Sequence, residues 1–311
     1  MEIDLVWLLV LPLLFALGWI TARYDWGQQR RESQHVPQDI LNGMSAVLSD
    51  DFKKATDLLL SAATSAPDAV DLHRAVGNLY RKRGLVDRAI EVHERALQHP
   101  DAPTTVRIAL MLDLGRDYLA AGLFDRAQAV LEDLLAVTDL DRESRHHALG
   151  LLLAVAERTR DWAQAIERVQ ALQADGAQAN TTSGATSNTT LEGALGSQPY
   201  EQLMGHYHCE LAQVAFARGN LTAAAACLDA AQAFAVAEGP ARRITMMRQH
   251  IESTKKDNSG GQAGNGGSGG AFPKTVAEGE AMACKVCGFR SRQIYWQCPG
   301  CHHWDSFGAV K

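Results

Sequence analysis

The chain repeats itself at a helical period. Val76-Gly77-Asn78-Leu79-Tyr80, followed by Gly84-Leu85-Val86-Asp87-Arg88-Ala89, returns as Leu114-Gly115-Arg116-Asp117-Tyr118, followed by Gly122-Leu123-Phe124-Asp125-Arg126-Ala127. Such self-similarity constrains the fold before any propensity does. Each copy must be one supersecondary unit that buries its apolar face only by stacking on its neighbours. Aligned on the small residue of the second helix, the units are registered by Ala55, Ala89, Ala127, Ala165 and Ala224, in steps of 34, 38, 38 and 59 residues. Three positions earlier stand Phe52, Val86, Phe124, Trp162 and Leu221. Four later stand Leu59, His93, Leu131, Val169 and Leu228. Residues at these spacings share one helix face. Pro67 and Pro100 fall just past the second helices of the first two units, where a helix stop belongs.

A first step of 34 residues is the tetratricopeptide period. The fold class expected is all-α: a tetratricopeptide helix-turn-helix solenoid of about five units over residues 37–254, with a single transmembrane helix before it and a small four-cysteine module after it. A plain helical bundle would not repeat Gly-x-x-Tyr and Asp-Arg-Ala in this register. The composition agrees, with 46% hydrophobic but only 6% aromatic residues, which favours helices over a sandwich of sheets. The long last step comes from residues 176–199, polar, small and nearly uncharged, and predicts a mobile loop. Ala241 to Thr254 reads as a further helix able to cap the stack.

Leu5 to Ala22 is a run of eighteen residues without a charge, flanked by Trp7 and Trp19 near its ends and followed by Arg23, Arg30 and Arg31. At about 1.5 Å per residue it nearly spans a bilayer core. Nothing basic precedes it, which argues against a cleaved signal peptide. Residues 1–23 are therefore expected to be a transmembrane anchor and 24–36 a juxtamembrane linker, with the bulk of the chain on the cytoplasmic side by the positive-inside rule. Thiols on that side stay reduced.

The first helices of the units supply the groove-facing positions. Arg74, Asn78, Arg81 and Lys82 in the second unit and Arg116 in the third form a basic set. It is either a solvated helix face or a clamp for an acidic or C-terminal carboxylate of a partner. Cys209 and Cys227, set among Ala and Leu, read as buried structural thiols. No acid–base pair or activated nucleophile recurs along the units, so no catalytic residue is assigned and the chain is not expected to be an enzyme.

Residues 255–281 form a Gly-rich linker, a flexible coil in composition. After it come Cys284-Lys-Val-Cys287-Gly and, ten residues on, Cys298-Pro-Gly-Cys301-His-His. Two Cys-x-x-Cys knuckles closing on each other place four thiolates at the corners of a tetrahedron, a donor set that suits zinc or iron. The module, residues 282–311, is too small to fold on apolar burial alone, so metal binding must supply most of its folding free energy. Phe289, Tyr295, Trp296 and Trp304 are expected to pack round the sulfurs. With a net charge of −6 on the chain, nucleic acid is not an expected partner.

Taken together, the one-span head, the repeats and the cysteine tail resemble the lipopolysaccharide assembly protein B family. The resemblance is carried by Gly77-Asn78-Leu79-Tyr80-Arg81, Val86-Asp87-Arg88-Ala89-Ile90, Leu114-Gly115-Arg116-Asp117-Tyr118, His206-Tyr207-His208-Cys209-Glu210-Leu211-Ala212 and Tyr295-Trp296-Gln297-Cys298-Pro299-Gly300-Cys301. It implies an inner-membrane, non-catalytic adaptor that limits lipopolysaccharide synthesis. Such proteins present the committed-step deacetylase of lipid A synthesis to a membrane AAA protease and gather other lipopolysaccharide-synthesis or export proteins. It also implies a rubredoxin-like module that binds one iron, with zinc as the alternative, through Cys284, Cys287, Cys298 and Cys301. A membrane-tethered electron carrier or redox sensor is the competing function. Members carry more repeats ahead of the module. Here about two to three repeats' worth is replaced by the Gly-rich linker, which leaves open whether the module touches the last repeats.

Overall fold

The computed structural model of the chain describes residues 38–65, 69–100, 102–180, 200–234, 238–259, 282–293 and 295–309. The expected anchor lies outside the described residues, as do residues 181–199 of the expected loop and 260–281 of the linker. Among the described residues no helix is long and apolar enough to cross a membrane. The chain divides into two compact units, Met1–Leu123 and Phe124–Lys311.

The first unit holds a helix over residues 38–48 (α1), then α2 (Phe52–Ser65), α3 (Val70–Lys82), α4 (Val86–Leu97) and α5 (Thr104–Ala121). Consecutive helices from α2 to α5 pack on one another, and α3 also meets α5. The second unit holds α6 (Phe124–Leu135), α7 (Arg142–Thr159), α8 (Trp162–Asn180), α9 (Tyr200–Ala217), α10 (Leu221–Gln232) and α11 (Glu238–Ser259). Its neighbours again pair in order, and α11 closes over both α9 and α10.

The register read from the sequence is the register of the core. Ala55, Ala89, Ala127, Ala165 and Ala224 are all fully buried, and so are His93, Leu131, Val169 and Leu228 four residues on from the last four of them. The turn between paired helices is also repeated. Gly84, Gly122 and Gly219 take φ of 74, 75 and 76°, the left-handed conformation that glycine enters without a Cβ penalty. Each turn closes in the same way, as when Leu85 N–H donates to Tyr80 C=O and Leu123 N–H to Tyr118 C=O. The fourth unit lacks the glycine. Arg160 occupies the same conformation at φ 58°, and Asp161 N–H still reaches Ala156 C=O at 2.9 Å.

Two boundaries differ from the sequence reading. Helix α8 runs through Asn180, so the first residues of the expected loop are helical. Helix α11 spans Glu238–Ser259 rather than 241–254, so residues 255–259 of the expected linker are helical. Lys255, Lys256 and Asp257 carry no helix breaker, and the glycines begin only at Gly260.

The tail adds a three-stranded antiparallel sheet in the order β2–β1–β3, from β1 (Met282–Cys284), β2 (Arg290–Ser291) and β3 (Phe307–Ala309). Met282 pairs with both Ser291 and Ala309.

Candidate metal centre and its seat on the helices

Strand β1 delivers Cys284 into the first knuckle. There Gly288 N–H donates to Cys284 C=O at 2.9 Å and Cys284 N–H to Phe289 C=O at 2.8 Å. The second knuckle repeats these bonds: His302 N–H donates to Cys298 C=O at 2.8 Å and Cys298 N–H to His303 C=O at 2.9 Å. In each loop one backbone N–H is turned onto sulfur, from Val286 to Cys284 Sγ and from Gly300 to Cys298 Sγ, both at 3.4 Å. Both knuckles need a left-handed residue just after their second cysteine. Gly288 supplies it at φ 75°, and His302 supplies it at φ 60° without the freedom of glycine.

The four sulfurs converge. Cys284 Sγ lies 3.5 Å from Cys301 Sγ, Cys287 Sγ lies 3.6 Å from Cys298 Sγ, and all four fall within 4.8 Å of one another. Four ligands at about 2.3 Å from one ion would stand roughly 3.8 Å apart, so the donor set fits a tetrahedral metal. The thiols are not equal. Burial opposes ionisation of Cys284, but the Ser306 hydroxyl and the backbone N–H groups of Cys287 and Val286 outweigh it and hold the thiol at about 6. Burial and the three neighbouring sulfurs push Cys301 up to about 12. A bound cation would remove the protons that the protein alone retains. His302 and His303 are not drawn into the cluster. His303 Nδ1 faces Cys301 C=O at 3.2 Å, and His302 C=O accepts from Gln297 Nε2.

The aromatic residues expected round the sulfurs are divided between two tasks. Tyr295 and Phe289 pack on Phe307, and Phe289 is 40% exposed. Trp304 turns away, onto the helices. Its Nε1–H donates to Glu157 Oε1 of α7 at 3.0 Å, and its ring stacks on His206 of α9 at 4.6 Å. Trp162 and Tyr207 stack on each other and complete the nest round Trp304. Tyr207 O–H donates to the same Glu157 oxygen at 2.7 Å. Next in the chain, Asp305 accepts from His206 Nε2 at 2.8 Å and Gln202 Nε2 at 2.7 Å. A Cβ on Gly239 of α11 would fall 2.1 Å from the Asp305 carboxylate, so only glycine leaves it room. Arg243 of α11 lies over the Trp296 ring and pairs with Glu210 at 2.5 Å. The module is thus seated on α7, α9 and α11, which answers the question the shortened array had left open.

This seat is charged and largely buried. Burial raises the Glu157 carboxyl above its ordinary value even though Trp304 and Tyr207 both donate to it. Burial likewise lowers His206, against the opposing hydrogen bond and charge of Asp305. Asp305 is held below the usual carboxylate range. Its own burial opposes this, but the bonds from His206 and Gln202 and the charge of Arg243 prevail. Sequence reading missed Glu157, His206, Tyr207 and Asp305 as a group. A glutamate ending the run Leu151-Leu152-Leu153-Ala154-Val155-Ala156 was the one signal available.

The basic set of the first unit is placed differently from a free clamp. Arg74 Nε and Asn78 Nδ2 donate to Asp113 Oδ2 at 2.7 and 3.3 Å, and Arg116 Nη1 to Asp113 Oδ1 at 3.0 Å. Arg81 bonds Asp113 Oδ1, the Asp113 carbonyl and Asp117 Oδ1. Behind them the buried His93 ring faces Asp117 Oδ2 at 2.5 Å and Arg74 C=O at 3.1 Å. Lys82 instead lies over the Phe52 ring. Burial would raise the Asp113 carboxyl, but the Arg74 hydrogen bond and the charges of Arg74, Arg81 and His93 hold it below its ordinary value. Of the two lone thiols expected to be buried, Cys209 is, which pushes it up to about 11, and Cys227 is only partly so, because it lies at the edge of the core of α9 to α11.

Comparison with known proteins adds three findings. A family model described as "Rubredoxin metal binding domain" matches residues 283–309, and two tetratricopeptide-repeat models match 72–107 and 112–180. The chain is 31% identical to lipopolysaccharide assembly protein B of Escherichia coli (strain K12) over 254 residues, 79% of this chain and 58% of that protein. It is 30% identical over 179 residues to the protein of the same name from Haemophilus influenzae, covering 52% of this chain and 44% of that one. The chain therefore spans less than two thirds of the length of these relatives. Among solved structures, a crystal structure of MamA protein aligns at 13% identity with a TM-score of 0.42, over 75% of this chain and 100% of that one.

Proposed function

Because this chain belongs to the lipopolysaccharide assembly protein B family, we propose that it is a non-catalytic adaptor regulating lipopolysaccharide synthesis at the bacterial inner membrane. The observation that carries this reading is the seat just described. Trp304 and Asp305 fasten a four-cysteine module to the repeat helices, which supports a fixed surface suited to presenting one protein to another. Helical repeats bind by surface rather than by chemistry. The relatives are named for lipopolysaccharide assembly, which favours this reading over a tethered electron carrier.

In finer terms, residues 5–22 anchor the chain as a single span with its bulk in the cytoplasm. The clients are the lipid A deacetylase and a membrane AAA protease that degrades it. One iron or zinc ion is held by Cys284, Cys287, Cys298 and Cys301. Its contribution there is structural, fixing the two knuckles from which Trp304 and Asp305 depart. The test is affinity purification of the full chain from detergent extracts of its native membrane, with metal analysis of the same sample. Recovery of the deacetylase or the protease is the expected result; recovery of neither, with the anchor intact, overturns the reading.

A further inference from the structure

Beside the Asp113 cluster lies a pocket of about 370 Å³, within the usual range for ligand sites (roughly 300–1,000 Å³). Its apolar walls are Met44, Val47, Leu48, Leu59 and Leu79, and its polar end is Asn78 and Lys82. Met44 and Leu48 are 58% and 88% exposed, more apolar surface than a solvated helix face needs. Ala75, Asn78, Leu79 and Lys82 form one stripe of α3, while Arg74, Asn78 and Arg81 form the adjacent stripe. Asn78 belongs to both, because it lines the pocket and donates to Asp113.

The charge of this face is unbalanced. Three guanidinium groups converge on two carboxylates, Asp113 and Asp117, and Lys82 adds another cation at the rim of the pocket. Asp113 is 2% exposed and spent on its arginines, whereas Arg74 and Arg116 are 35% and 36% exposed. Each of these two engages Asp113 through a single nitrogen, Nε of Arg74 and Nη1 of Arg116. The planar fork of each keeps further N–H donors in a fixed geometry that suits a second carboxylate.

We propose that this face of α3 binds an acidic segment of a partner protein, the pocket taking a large apolar side chain and Arg74, Arg116 and Lys82 taking its carboxylates. Asp113 acts as a positioning residue, since it holds the guanidinium groups at fixed places without meeting the ligand. The proposal deepens the adaptor reading and rests on it. An apolar anchor beside pre-oriented charges is how a short peptide gains both affinity and register.

The test uses a random dodecapeptide library on phage, panned against the full chain in detergent and counter-selected against Leu48→Asp and Arg116→Gln. Leu48 is exposed and Arg116 half-exposed, and thermal melts verify that each variant folds. The expected result is retained peptides that pair a large apolar residue with Asp or Glu within about one turn. A synthetic copy should bind the parent chain about tenfold more tightly than either variant and lose affinity as salt rises. Retention of no peptide, of basic or neutral peptides only, or of peptides that bind both variants as tightly as the parent overturns the proposal. So does Leu48- and Arg116-dependent binding to phosphatidylglycerol vesicles in place of peptide, which would assign the face to a lipid surface. If no peptide binds but the chain still recovers the deacetylase or the protease, this site fails and the adaptor reading stands. The reverse outcome sinks the adaptor reading and leaves the site.

Discussion

Trp304 and Glu157 meet through one hydrogen bond of 3.0 Å across 147 residues of sequence. The same Glu157 oxygen also accepts from Tyr207, so one carboxylate closes three elements: α7, α9 and the metal module. Glu157→Ala would leave two buried donors without an acceptor, at roughly 1–3 kcal/mol each. The expected outcome is a loss of about 2–5 kcal/mol in denaturant unfolding of the second unit, with a red shift of tryptophan emission. In the background of Trp304→Phe, which removes one of the donors, the same substitution should cost less. Full additivity of the two would show that the pair does not act as a unit.

Cys298→Ser removes one of four donors from the knuckle that leads into Trp304. Metal content by mass spectrometry should fall from about one ion per chain to near none, and a chelator should do the same to the parent protein. Far-UV circular dichroism should barely change, because the helices hold nearly all the regular structure, while the near-UV tryptophan signal collapses. Retention of the ion at parental affinity would rule out the four-thiolate site.

Acid should weaken the first unit through Asp113. Its carboxyl lies below its ordinary value near 3.8 in the folded chain, so the native state resists protonation more than the unfolded one does. The resulting stabilisation is complete above about pH 4 and is lost as pH falls through the lower, folded value. Asp113→Asn lacks this contribution. The gap in unfolding free energy between parent and variant should therefore narrow between pH 5 and pH 3. A gap that stays constant over that interval would show that Asp113 is not held low.

Gly77→Ala tests the close approach of paired helices. An added Cβ would fall 2.3 Å from His93 Nε2, on a ring that is fully buried and bonded at both nitrogens. Because the ring cannot step aside, the variant should lose about 1–3 kcal/mol in thermal or urea unfolding. Parental stability would mean that the helices can part here without penalty.

What the sequence made legible and what it hid separate by distance along the chain. The Ala55-to-Ala224 register and the four ligand cysteines are local patterns, because the period and the knuckle are each set within a few residues. The basic set was visible, but its internal partners were not, since Asp113 and Asp117 lie over thirty residues beyond Arg74 and Arg81. One clue stood in plain sight: His93 fills a place where other units put Leu or Val, and a ring buried there needs polar partners. The Trp304 seat gave less warning still. The residues that receive it come from α7, α9 and α11, and nothing in a local window joins Glu157 to His206 and Gly239.

The way the module sits also gives the metal centre a front and a back. Cys284 and Cys298 are buried and Cys301 is half-buried, which leaves Cys287 as the exposed member of the set. Exchange of the ion, alkylation and oxidation therefore share one doorway. A thiol reagent applied to stripped protein should label Cys287 first, and a competing chelator should peel that corner of the site open while the Trp304 side still holds.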